Sequence, residues 1–125
     1  MELAGRMWML VSFETDMEVI PAATEAPATL AFSEGEQADR LGGSGGCNRY
    51  FASYTLTGDR LSLGPLGSTR MMCSPARMAQ EARFFQALSA AERCELSNGE
   101  LLIAYAGGTL RFALTPPQAE GSARQ

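Results

Sequence analysis

Gly42-Gly43-Ser44-Gly45-Gly46-Cys47-Asn48-Arg49-Tyr50, continuing as Phe51-Ala52-Ser53-Tyr54, is the stretch on which the reading of this 125-residue chain turns. Through a hairpin at Gly58-Asp59 it runs on to Ser68-Thr69-Arg70-Met71-Met72-Cys73. Most of the glycines and two of the three cysteines fall inside this span. Glycine tolerates backbone conformations in which a Cβ would clash, so residues 42–46 predict a strand that bulges and bends. A phosphate cradle is the competing reading. It needs a Gly-Lys-Ser/Thr ending and a helix behind it, and neither follows here.

Upstream, Met7 to Phe13 is apolar on both faces and predicts a buried strand. Residues 15–28, with Pro21 and Pro27, predict a loop. Leu30 and Phe32 share one face of a short strand over 29–33. Glu34-Gly35-Glu36 turns, and residues 37–41 return. Downstream, Cys47 to Tyr50 and Ser53 to Leu56 continue as strand. Thr57-Gly58-Asp59-Arg60 closes a hairpin in which Tyr54 and Leu56 share a face with Leu61 and Leu63. Gly64-Pro65 ends that pair.

Ser74 as N-cap and Pro75 at the first helical position predict one helix. Met78, Ala82, Phe85 and Leu88 fall at helical spacing, with Ala79 and Phe84 beside them and Gln80, Arg83 and Gln86 on the wet side. Two hairpins finish the chain. Asn98-Gly99 joins strands over 92–97 and 100–106, and Gly107-Gly108 leads into 109–114, where Leu110, Phe112 and Leu114 alternate with polar and small residues. Pro116-Pro117 stops the sheet, and residues 118–125 read as a disordered tail. The fold class expected is α+β: a curved, barrel-like antiparallel β-meander of about seven or eight strands packed on one α-helix, in one domain over residues 1–117.

Composition narrows the function. Hydrophobic residues are 46% and charged residues 19%, an ordinary globular balance. The net charge of −4 gives no basic field for nucleic acid. There is no His, which removes the commonest general base and metal ligand together. No apolar run is long enough to span a membrane. Residues 1–11 lack the apolar segment of a signal peptide, so the expectation is a cytoplasmic protein, or one of the periplasm or cell envelope whose leader has been trimmed.

A family resemblance rests on specific residues. Leu3, Gly5, Trp8 and Leu10 fit an opening Leu-x-Gly-x-x-Trp-x-Leu. Gly46-Cys47-Asn48-Arg49-Tyr50 with Tyr54 fits a central Gly-Cys-Asn motif. Leu61 and Ser68-Thr69-Arg70-Met71-Met72-Cys73 fit a second motif, and Glu81, Phe85 and Leu88 fit a helix. The chain resembles the META domain family of HslJ-like heat-shock and envelope proteins over roughly residues 3–114. The resemblance implies a small envelope or secreted domain linked to heat stress and to antibiotic tolerance, with no established reaction. Ala52 stands where relatives often carry Gly, and Cys94 lies outside the motifs.

Several residues are candidates for chemistry. Cys47 and Cys73 lie 26 positions apart, each at the end of a motif. Two readings stand: a disulfide, which suits an exported protein, or two buried thiols packing as hydrophobes. Three dispersed cysteines without His do not make a zinc site, and no thiol has a catalytic partner. Asn48, Arg49, Thr69 and Arg70 form a candidate binding rim; the competing reading has Asn48 bonding backbone and the arginines covering the sheet. Met7, Met9, Met71, Met72 and Met78 read either as core filler or as the lining of an adaptable pocket. Glu14, Asp16 and Glu18 read as a solvated edge, with a hard-cation site as the rival. No cofactor and no catalytic residue is expected. The leading reading is a non-enzymatic, monomeric binding or assembly module whose partner is a protein or an apolar small molecule. The alternative is a carrier of a lipid or other hydrophobic ligand, which calls for a cavity between helix and sheet.

Overall fold

The computed structural model describes residues 3, 5–33 and 39–114. The predicted turn at 34–36, the start of the returning strand at 37–38, the Pro116-Pro117 stop and the tail lie outside the described residues. The elements in order are β1 (Met7–Glu14), β2 (Val19–Pro21), β3 (Thr29–Phe32), β4 (Arg40–Ser44), β5 (Arg49–Thr57), β6 (Arg60–Leu63), β7 (Gly67–Ser68), α1 (Pro75–Ser89), β8 (Ala91–Ser97), β9 (Glu100–Tyr105) and β10 (Gly108–Leu114).

Period-two alternation drives the architecture. Trp8 and Leu10, Leu30 and Phe32, Leu101 and Ile103, and Leu110 and Phe112 each put two buried side chains on one face of a strand. An open antiparallel sheet with one apolar face leaves that face and two edges exposed, and closure removes both problems. Eight strands, β1-β3-β4-β5-β6-β8-β9-β10, run antiparallel around a barrel that β10 closes onto β1. The closing register runs from Trp8↔Leu114 to Glu14↔Thr109, with a bulge between Leu10 and Ser12. β2 extends the β3 side of β1, and β7 pairs with β5. The seam between β6 and β8 is thin: Arg60 faces Arg93, and Cys94 N–H donates to Asp59 O at 2.9 Å. Asp59 offsets the like-charge pairing through an ion pair to Arg93 at 3.1 Å.

Helix α1 lies where Ser74 and Pro75 predict. Ser74 Oγ accepts from Arg77 N–H, with Pro75 in the first turn. Its buried side chains are Glu81, Phe84, Ala87 and Leu88. This corrects the predicted stripe, because Ala79 and Ala82 are exposed while Glu81 and part of Gln80 point inward. Hydrogen bonds bury those two polar side chains, and a hydrophobic pattern cannot register them. Phe84 packs edge-on against Phe112 at 6.2 Å between ring centroids, and Tyr50 meets Phe84 at 5.6 Å.

Four other expectations change. β1 is buried on one face only: Met7 and Val11 are exposed, and the bulge turns both Ser12 and Phe13 inward. The loop over 15–28 contains β2, which ends at Pro21, a residue with no N–H to offer a further ladder. β7 pairs two residues of the segment before the helix with Tyr50 and Phe51, a contact too short to read from pattern. The glycines also act differently from a bulge. β4 pairs with β5 from Arg40↔Ser53 to Ser44↔Arg49 without a register shift. A Cβ on Gly43 would lie 2.4 Å from Thr29 O, so the requirement there is close approach of two backbones.

On the barrel exterior, Arg111 ties three strands. Its Nε donates to Glu14 Oε2 at 2.6 Å and its Nη1 to Glu100 Oε1. The Arg111 guanidinium, working against a smaller burial effect, holds the Glu14 carboxyl below the usual carboxylate range. A lowered folded-state pKa stabilises the fold above the unfolded value of about 4.3, and that contribution is lost as pH falls through the folded value. Melting curves followed by fluorescence of the lone tryptophan, Trp8, should therefore fall off below about pH 4, and Arg111→Gln should flatten that limb. An identical acid limb in the variant would show that the pair contributes nothing.

Candidate functional site

Residues 45–48 turn β4 back into β5. Gly45 N–H donates to Asn48 O at 2.9 Å, and Gly46 N–H to Ser44 Oγ at 3.1 Å. Gly46 has φ +108, a conformation that strains any side chain. Such a tight turn leaves its next N–H groups pointing inward. Glu81 of α1 receives them: Cys47 N–H at 3.0 Å and Asn48 N–H both donate to Oε2, and Asn48 Nδ2 donates to Oε1 at 2.8 Å. Glu81 is 7% exposed. Among the described residues no arginine pairs with it, so aligned N–H dipoles alone hold its charge.

Asn48 passes the connection on. Its Oδ1 accepts from Met71 N–H and from Thr69 Oγ1 at 2.9 Å, and its Nδ2 also reaches Met71 O at 3.3 Å. Thr69 Oγ1 in turn accepts from Arg49 N–H at 3.2 Å, and Thr69 N–H donates to Arg49 O at 3.0 Å. A disulfide joins Cys47 to Cys73 with Cα atoms 6.1 Å apart. In the loop-entropy account a closure of this size disfavours the unfolded chain by about 3.5 kcal/mol. Gln80 fastens the neighbouring loop, accepting from Ala23 N–H at 2.7 Å and donating to Ala26 O at 3.4 Å. The barrel mouth is thus clasped to one face of the helix by buried polar groups.

The four predicted rim residues come together here, but they divide. Asn48 is buried with every polar function used, and the Thr69 hydroxyl is spent within the clasp. Arg49 and Arg70 are exposed, and neither makes an ion pair among the described residues. Beside them stand apolar groups that polar-motif reasoning passes over: Phe51 at 57% exposure, Met71 at 57% and Met72 at 83%. Phe51 points outward because it alternates with buried Tyr50 and Ala52, and its ring lies over Gly67. The expected methionine set is therefore neither core filler nor pocket lining. Met7, Met71 and Met72 face solvent, while Met9 and Met78 are half-buried. Glu81 is the central residue absent from the predicted rim. The available signal was an acid set between Met78 and Phe84 on an otherwise apolar helix face.

Other candidates lie elsewhere. Glu14 is committed to Arg111 and stands apart from the exposed loop acids Asp16 and Glu18. Cys94 is buried, and its thiol is pushed up to about 11 by burial, with Asp59 adding to the effect. A thiol so shifted is unreactive near neutral pH. Among the described residues no three of His, Cys, Asp and Glu gather in a metal-binding group.

The fold and the clasp define a class of small closed barrel with one helix fastened across its mouth. The family profile of the META domain matches residues 1–117, and the chain belongs to that family. An NMR structure of a protein from Burkholderia xenovorans is similar at 28% identity and a TM-score of 0.77, covering 90% of this chain and 83% of that one. A second NMR structure is similar at 26% identity and a TM-score of 0.68, covering 90% and 92%. The crystal structure of a DUF4847 family protein from Bacteroides vulgatus shares the fold at 16% identity and a TM-score of 0.64, covering 90% and 94%. No curated protein matches the chain.

The clasp and the exposed arginines should separate in denaturation experiments. Asn48→Ala leaves Met71 N–H and the Thr69 hydroxyl unpaired and should cost about 3 kcal/mol. Glu81→Gln sets an amide N–H against one of the donors and should cost about 2 kcal/mol. Arg70→Ala should stay within about 0.5 kcal/mol of the parent. Equal losses in all three would mean that Arg70 belongs to the fold.

Proposed function

We propose that this domain is a non-enzymatic docking module of the cell envelope that engages a partner protein through the face beside its clasp. The observation that carries this reading is that Phe51, Met71 and Met72 are exposed on two segments tied together by β7 and Asn48, with Arg49 and Arg70 on the same segments making no ion pair among the described residues. Exposed apolar side chains with unneutralised arginines around them are the composition of an interface core and rim. The clasp makes the face rigid: β7 holds Gly67 under Phe51, and Asn48 holds the backbone of Met71. Rigid presentation lowers the ordering cost of binding. The barrel interior is filled by Trp8, Phe32, Phe84 and Phe112, all at most 2% exposed, which favours docking over carriage of a lipid inside the barrel. The disulfide supports an oxidising compartment, and the buried, partnered carboxylate of Glu81 offers no free base for catalysis. The partner face should be acidic around an apolar centre. Family membership supports a stress-linked role.

A photoreactive benzophenone amino acid at position 72 should give a discrete crosslinked adduct in heat-stressed cells of the native host. The same group at position 98, on the remote β8–β9 turn, should not. Arg49→Glu with Arg70→Glu should abolish the adduct without shifting the melting temperature. Equal crosslinking from both positions, or an adduct indifferent to the charge reversal, would refute the docking face.

A further inference from the structure

At the other end of α1 an open groove of about 400 Å³ separates the helix from the β1–β2 loop and the β9–β10 turn. Small-molecule sites span roughly 300–1,000 Å³, so its size suits a compact ligand. Its apolar lining consists of buried Phe13 and Ala87 with half-buried Ile20 and Tyr105. Two opposite charges line it, Arg83 from the helix and Glu18 from the loop, and neither makes an ion pair among the described residues. The Arg83 guanidinium lies over the Phe13 ring, 5.5 Å from its centroid, which fixes it at the groove. Glu18 sits in a tight turn: Thr15 N–H donates to Glu18 O at 2.9 Å, and Thr15 Oγ1 accepts from Glu18 N–H at 3.2 Å. Gln86, also on the groove wall, has an amide with no partner among the described residues.

The electrostatics select the ligand. A carboxylate fits Arg83 and the Gln86 amide. An ammonium fits Glu18. An apolar body covers Ile20 and Tyr105. We propose that this groove is a binding site for a small zwitterion with an apolar body, of the chemistry of a short hydrophobic peptide with both termini free. The site is independent of the docking face around Met71. It also differs from a lipid carrier, because both of its ends demand charge.

The test uses the dipeptide Leu-Phe in four forms: with free termini, N-acetylated, C-amidated, and blocked at both ends. Each is titrated into labelled protein while the amide resonances of Gln86, Gly107 and Thr15 are followed, with Gly58 and Gly99 as remote controls. The free dipeptide should shift the groove resonances saturably and bind at least about fivefold more tightly than either singly blocked form. Arg83→Gln should erase the penalty for amidation alone, and Glu18→Gln the penalty for acetylation alone. Both positions are exposed, so both variants should fold. Four equal affinities, shifts spread over the remote glycines, or no saturation by about 10 mM would overturn the proposal.

Discussion

The seat of the helix on the barrel depends on one buried carboxylate. Glu81 arrives on the helix and satisfies two backbone N–H groups of a tight turn and the amide of Asn48. A helix laid across a barrel mouth by apolar contact alone would be free to slide, because hydrophobic attraction has no direction. Hydrogen bonds to a buried charge do have direction and are costly to leave unmade. Glu81 therefore sets where the helix sits and which of its residues face inward.

That constraint reaches the surface through Asn48. One side of its amide faces Glu81, and the other gathers Thr69 and Met71. Arg70, Met71 and Met72 all stand exposed on this anchored backbone. The interior arrangement and the exposed face are thus coupled: the polar network uses the motif's inward groups, and Arg49, Arg70, Met71 and Met72 are left facing solvent. The disulfide reinforces the same junction by limiting the unfolded chain, a separate mechanism from the native hydrogen bonds.

Much of the fold was legible because the relevant signals are local. Ser74-Pro75 marks a helix start, Asn98-Gly99 a type I′ turn with Asn98 at φ +53, and period-two alternation marks β9 and β10. The rest was hidden for physical reasons. β2 folds back on β1 across residues 15–18 and β7 lies along β5, and strands of three or two residues carry no pattern of their own. The helix stripe was misread because Glu81 and Gln80 are buried by bonding. The clasp was half legible: Asn48 and Thr69 stand out as polar residues of motifs, and a backbone-bonding role for Asn48 was already one of the two readings. Phe51 gave no warning, because whether a strand residue faces in or out depends on a register fixed by β4 and β7.

The most direct measurement is native-state hydrogen exchange at the amides of Cys47, Asn48 and Met71. Each donates to a side chain of the clasp, so each reports the junction and not the barrel ladders. If the clasp carries the fold, these three amides exchange only through global unfolding, with protection matching that of Ile103 in the core. Exchange through a local opening, at a free energy well below that of Ile103, would mean that the barrel and helix hold together without it.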